Sequence, residues 1–251
     1  MFSIAALVPS PPILVPELCG GVADAGEPDP RRVLRAAVLD TVRAFASVTD
    51  QWMVIGAGAT DRTLGPETVG TFHGFGADVR VGFSAAAVAG TERADPELPL
   101  AALIAGWLRR QAAPSAVAEA RIVAVHALPE HCGELGAKLR AELDGAVARH
   151  GVLVVADGAA TLSTKAPGYL DERARSVQDG LDRALTTGDR AALRVLDPVL
   201  CAQLSLAGRP AYQVLAGLFR ADPAVETRYR DAPFGVGYHV SLWRPAGDDA
   251  P

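Results

Sequence analysis

The sequence predicts an α/β protein, a three-layer αβα sandwich around a mixed, largely parallel central sheet. Short apolar runs such as 51–55 and 152–155 alternate with longer segments whose apolar residues recur at helical spacing. Two further β-type runs, 224–229 and 236–243, follow each other closely at the carboxyl end. A close pair of this kind favours antiparallel pairing, which makes the predicted sheet mixed.

Length and composition favour one domain. The chain has 251 residues, 49% of them hydrophobic, which is enough for a single large core. Residues 1–245 are therefore expected to form one domain and 246–251 a flexible tail. Three cysteines, Cys19, Cys132 and Cys201, lie far apart and form no CxxC pair, so neither a disulfide framework nor a cysteine zinc site is indicated.

Charge and hydropathy disfavour several partners. The formal net charge is −5 with no long run of one sign, which argues against a nucleic-acid or anionic-membrane surface. The amino terminus lacks the basic region of a signal peptide, and no apolar run approaches the roughly 20 residues of a membrane span. We therefore expect a cytoplasmic protein that binds a small molecule, with a homodimer left open.

The first predicted strand, 4–8, runs into a proline-rich segment in which Ser10 stands between Pro9 and Pro11. Proline fixes φ and donates no N–H, so the chain must leave the strand as a rigid extended loop. Ligand crevices in open α/β sheets form at the carboxyl ends of strands, which places Ser10 at a candidate pocket mouth. A proline-stiffened crossover without chemistry explains the same pattern.

A helix is predicted over 30–47, with Asp29 as N-cap and Pro30 at the first helical position. The strand 51–55 follows it. The remaining predicted elements are, in order, a strand at 78–83, a helix beginning at Pro96 or Pro99, a strand at 121–125, a helix over 131–150, a strand at 152–155, helices near 172–186, 189–195, 198–205 and 210–220, and the two closing strands.

The turn after the second strand reads GAGATDR, residues 56–62. It resembles half of a dinucleotide fingerprint, but it lacks the third glycine and a following helix. A backbone nest that binds an anion with help from Thr60 and Arg62 is a second interpretation, and a tight turn is the third. Gly56, Thr60 and Arg62 are accordingly candidates for the pocket.

Other strand ends carry polar residues. His126 follows the strand at 121–125, and Asp157 follows the strand at 152–155. Lys165 lies in the loop after Asp157, where a desolvated lysine could act as a nucleophile or anion ligand and an exposed one would be a surface residue. His126 and His131 are weak candidates for a metal site, since their spacing across a turn is not typical of ligands.

Three segments carry a resemblance to a known family. They are ALVPSPPILVPEL at 6–18, VVADGAATLSTKAPGYLDERARSVQDGL at 154–181 and APFGVGYHVSLW at 232–243. Together they resemble the class III extradiol dioxygenase subunit-B family, to which Memo-like proteins also belong. The resemblance covers most of the chain and implies the same α/β fold.

The resemblance also implies where iron chemistry would lie. Ring-cleaving members bind Fe(II) through two histidines and one carboxylate, and a further histidine serves as acid or base. Here Ser10 stands where the first histidine is expected, the loop 56–62 contains no histidine, and residues 160–162 contain none either. We therefore expect a protein of this fold without the iron site and with no predicted cofactor, either a small-molecule-binding protein or an enzyme with non-iron chemistry.

The alternative is an active metal-dependent extradiol dioxygenase that cleaves a catechol-like ring with Fe(II) on relocated ligands, and the sequence leaves open whether the chain is an enzyme. A serine hydrolase is disfavoured because no GxSxG elbow is present. The expected pocket contains Ser10, the 56–62 turn, His126, Asp157 and Lys165.

Overall fold

A computed structural model describes residues 1–19 and 29–246 of the chain. Residues 247–251 of the predicted tail lie outside the described residues. The strands are β1 (Phe2–Val8), β2 (Gln51–Gly58), β3 (Arg62–Leu64), β4 (Val69–Thr71), β5 (Arg80–Gly82), β6 (Val117–Ala124), β7 (His150–Val155), β8 (Ala224–Asp231) and β9 (Tyr238–Arg244). The helices are α1 (Pro30–Ala46), α2 (Ala85–Ala89), α3 (Leu100–Ala112), α4 (Pro129–Asp144), α5 (Ala174–Thr187), α6 (Arg190–Arg194), α7 (Pro198–Gln203) and α8 (Arg209–Leu218).

The central sheet has seven strands in the order β3-β6-β2-β7-β1-β9-β8. The four inner strands β6, β2, β7 and β1 are parallel to one another, and β3, β9 and β8 run antiparallel to their neighbours. The predicted mixed, largely parallel sheet is thereby confirmed. Because parallel strands end at one edge of a sheet, the segments that follow β1, β2 and β7 meet there.

Helices cover both faces of this sheet, as the three-layer prediction requires. On β7, Leu153 and Val155 pack in the cluster that contains α1 and α3, while Val152 and Val154 pack in the cluster that contains α4, α5 and α8. Both sets are buried because a parallel inner strand has no face left for water. Among the described residues, no helix combines the length and apolar character that a bilayer crossing needs.

One predicted helix end is wrong, and one predicted strand belongs to a second sheet. The helix predicted over 131–150 ends at Asp144, where Gly145 caps it, so Val147 is fully exposed and His150 begins β7. The strand predicted at 78–83 is present as β5 (Arg80–Gly82), and it pairs with β4 in a two-stranded sheet separate from the central one. The apolar alternation of this segment predicted the strand, whereas its partner depends on how the chain folds back at β4.

Candidate functional site

A cavity of about 360 Å³ opens at the carboxyl ends of the inner strands. Ser10, two residues beyond β1, and Asp157, two residues beyond β7, lie on its wall. Parallel pairing aligns Val8 with Val155, so the two segments leave the sheet side by side. The proline loop then fixes Ser10 against Asp157.

Ser10 makes two hydrogen bonds to the same carboxylate. Its backbone N–H donates to Asp157 Oδ1 at 2.8 Å, and its hydroxyl donates to Asp157 Oδ2 at 2.5 Å. Burial raises the pKa of Asp157 above its ordinary value, and the bonds from Ser10 act in the opposite direction. Each carboxylate oxygen keeps a further lone pair, and the cavity is the side from which a ligand can reach it.

The walls of the cavity are otherwise mostly apolar. They include Pro11, Pro12, Ala57, Leu100, Val155 and Val236. The partly buried carboxyl of Asp157 in such surroundings gains more from a ligand hydrogen bond than an exposed carboxyl does, since water competes less for it.

Tyr238 of β9 supplies the other polar group. Its side chain lines the cavity, the residue is 4% exposed, and its hydroxyl has no hydrogen-bond partner within the part of the chain that the structure describes. Burial, and secondarily the negative charge of Asp157, raises the pKa of Tyr238 well above its ordinary value. The phenol is therefore neutral at physiological pH and can donate a hydrogen bond into the cavity.

The structure brings Ser10 and Asp157 together but corrects the expectation of one pocket that contains all the candidates. Gly56 is buried beneath α3, where a Cβ would overlap the Ala101 side chain, so its role is close helix packing; its neighbour Ala57 lines the cavity. Thr60 and Arg62 lie outside the cavity lining, and Arg62 instead contacts Asp95 at 3.5 Å.

The remaining candidates also lie elsewhere. His126 is exposed and lines a neighbouring groove, Lys165 is exposed and lines no described cavity, and His131 lines a third depression beside Asp61. The reason for His126 is strand order: β2 separates β6 from β7, so their ends lie about 10 Å apart. β6 and β7 are consecutive among the strands of the central sheet along the chain, so the sequence suggests that they are neighbours in the sheet as well.

The residues present do not fit the Fe(II) that the family resemblance implies. The Ser10 hydroxyl is a neutral group already committed to Asp157, and His126 and His131 lie in different depressions. Among residues 1–19 and 29–246, no cluster of three or more His, Cys, Asp or Glu side chains could hold a metal ion. Imidazole and carboxylate ligands that share one open coordination face are what such an iron site requires.

Tyr238 and Ser205 line the cavity but were not singled out in the sequence. Tyr238 lies on the strand that the sequence predicts over 236–243. A buried tyrosine hydroxyl normally forms a hydrogen bond, so a tyrosine on this apolar strand was the signal that could have marked the position. Ser205 belongs to a turn whose position depends on tertiary packing, and no sequence signal pointed to it.

Comparisons with known proteins bear on the fold. Neither a scan against protein-family models nor a search of curated proteins returned a match. Among solved structures, the chain is similar to the crystal structure of the uncharacterized protein JW3007 from Escherichia coli K12. The TM-score is 0.57 at 11% sequence identity, and the match covers 96% of this chain and 99% of the other. At that identity the likeness shows the fold alone.

Proposed function

We propose that this chain is a small-molecule-binding protein of the class III extradiol dioxygenase type of fold in which the family's iron site has been replaced by the Ser10–Asp157 pair. The observation that carries the proposal is the partly buried carboxyl of Asp157, held by two hydrogen bonds at the edge of an apolar cavity. Non-iron chemistry on the bound molecule would use the same cavity, and the donor set gives no support to ring cleavage with iron.

The cavity favours a small ligand that is largely apolar and carries one hydroxyl or amine. Asp157 can accept a hydrogen bond from such a group, and the unpaired hydroxyl of Tyr238 can donate one to it. About 360 Å³ lies at the lower end of the range for ligand pockets and holds a single ring. A phenol combines these features.

Calorimetric titration with phenol tests the proposal. We expect binding to the wild-type protein, no binding of toluene at the same concentrations, and at least a tenfold loss for Asp157→Asn, because a hydrogen bond to a charged group contributes about 1.5–3 kcal/mol. Lys165→Ala, at an exposed residue outside the cavity, is the matched control and should bind as the wild type does. Equal affinity of Asp157→Asn and wild type would contradict the role of the carboxyl.

Metal stoichiometry tests the replacement of the iron site. The protein is reconstituted anaerobically with Fe(II) and, separately, with Zn(II), and bound metal is counted by native mass spectrometry. We expect no tightly held ion, because the cavity offers one carboxylate and no imidazole. About one ion per chain, lost in His126→Ala or His131→Ala, would restore the dioxygenase interpretation.

A further inference from the structure

A second depression, which we call the α7 groove, opens beside the cavity. Its volume is about 560 Å³, and its lining includes Val125, Pro198, Val199, Ala202, Leu206 and Arg209. Val199 is 67% exposed and Val125 is 43% exposed. Apolar side chains gathered at the surface in a concave arrangement are typical of ligand-binding grooves.

Ser205 and Ala207 line both the cavity and the α7 groove. Both side chains are small and exposed, so they form a low ridge between the two depressions. The ridge is also fixed in place, because the carbonyl of Leu204 accepts a bond from the backbone N–H of Ala160 (3.1 Å) and one from the Thr161 hydroxyl (3.2 Å). A ligand can therefore cross this ridge without displacing a bulky side chain.

The ridge backbone adopts an uncommon conformation. Ser205 has φ of +53°, in the left-handed region that non-glycine residues seldom occupy. Such a conformation costs free energy and persists where surrounding contacts enforce it, frequently at ligand sites. Here it ends α7 and allows the chain to turn between the groove and the cavity.

The charges of the groove favour an uncharged occupant. Three of the five N–H bonds of the Arg209 guanidinium donate within the protein, to Gln213 Oε1 at 2.6 Å, to the Val125 carbonyl at 2.9 Å and to the Ala127 carbonyl at 2.7 Å, and the residue is 1% exposed. The groove therefore presents little of this cation to a phosphate or carboxylate of a ligand. Cys201, which also lines the groove, is a buried, neutral thiol that behaves as an apolar surface.

We propose that the ligand is an elongated amphiphile whose hydroxyl or amine lies against Asp157 and whose uncharged apolar tail crosses Ser205 and Ala207 into the α7 groove. This inference rests on the proposed function and specifies its ligand class. It makes the cavity and the groove two parts of one site, the cavity for the head and the groove for several carbon atoms of the tail.

A series of 4-alkylphenols tests the inference by calorimetric titration. The probes are phenol, 4-ethylphenol, 4-butylphenol and 4-hexylphenol. We expect the dissociation constant to fall about fourfold for each methylene that enters the groove, because burying one methylene contributes about 0.8 kcal/mol. Asp157→Asn should weaken the whole series by a similar factor, because it changes only the contact with the head.

Val199→Asp places a charge in the groove at an exposed position in the first turn of α7, where an acidic residue is compatible with the helix. We expect this variant to bind phenol as the wild type does and to lose the gain with chain length. Val195→Asp is the matched control, since Val195 is 78% exposed and lies outside the groove lining. It should retain the full gain.

The outcomes separate the two proposals. Binding of phenol with no dependence on chain length, or a gain that survives in Val199→Asp, would overturn the groove while leaving the binding function of the cavity intact. Failure of phenol and of every alkylphenol to bind would overturn the proposed function and the groove with it.

Discussion

Gly136→Ala is expected to lower the free energy of unfolding by about 3 kcal/mol, at the upper end of the cost of overpacking a core. Helices α4 and α8 cross with their backbones in contact at this position. A Cβ on Gly136 would overlap the carbonyl oxygen of Val214 and would lie 2.8 Å from the Cα of Gly217. These are backbone atoms that cannot rotate away, so one of the two helices must shift. The shift is costly because every residue of α8 is buried in close packing.

Gly133→Ala, in the same helix, is the matched control. A Cβ at Gly133 meets nothing within 4 Å, so this substitution should stabilise the protein by about 0.5–1 kcal/mol through helix propensity alone. Chemical denaturation of both variants measures the difference. If Gly136→Ala were as stable as the wild type, the close crossing of α4 and α8 would be contradicted.

The same pair of variants is informative for ligand binding. Helix α8 begins at Arg209, which lines the α7 groove, and it follows Gly208, where a Cβ would overlap the carbonyl oxygen of Asp157. A shift of α8 therefore reaches both parts of the site. We expect Gly136→Ala, where it remains folded, to bind 4-alkylphenols more weakly, and Gly133→Ala to bind them as the wild type does.

Local chemistry made much of the fold predictable. The start of α1 follows from Asp29, whose side chain accepts a hydrogen bond from the N–H of Arg31 at 2.9 Å, and from Pro30 at the first helical position. The inner strands follow from continuous apolar runs such as 152–155. The end of α4 was missed because Val147 continues the apolar spacing, whereas the break at Gly145 depends on how the chain enters β7.

The site was predictable only where strand polarity decides it. Ser10 and Asp157 both follow inner strands, and parallel strands end at one edge, so their meeting could be expected from the sequence. The order of the strands across the sheet cannot be predicted from strand polarity. The placement of β2 between β6 and β7 moves His126 into the groove, and the placement of β9 beside β1 brings Tyr238 to the cavity.

His239 is expected to make the protein lose stability on acidification. The residue follows Tyr238 on β9 and points to the opposite side of the sheet, where it is 1% exposed. Its Nε2 lies 3.4 Å from the Thr227 hydroxyl, and its Nδ1 lies 4.0 Å from Asp182 Oδ1 on α5, with no hydrogen-bond partner among the described residues. Burial first, and the positive charge of Arg230 second, lowers the pKa of His239 to about 4.

The direction of the pH dependence follows from proton uptake. Between about pH 6.5, the ordinary pKa of histidine, and pH 4, the unfolded chain binds a proton at His239 that the folded chain does not. The contribution of His239 is therefore fully present above pH 6.5 and is lost as the pH falls toward 4, by about 3 kcal/mol at most. Burial raises the pKa of Asp182, which opposes this loss by favouring proton uptake in the folded state.

Urea denaturation of the wild type and of His239→Gln at pH 7, 5.5 and 4.5 measures the effect. The variant should lose less stability than the wild type over this range, whereas His73→Gln, at an exposed histidine, should follow the wild type. A gap between wild type and His239→Gln that stays constant with pH would show that His239 takes up its proton equally in both states.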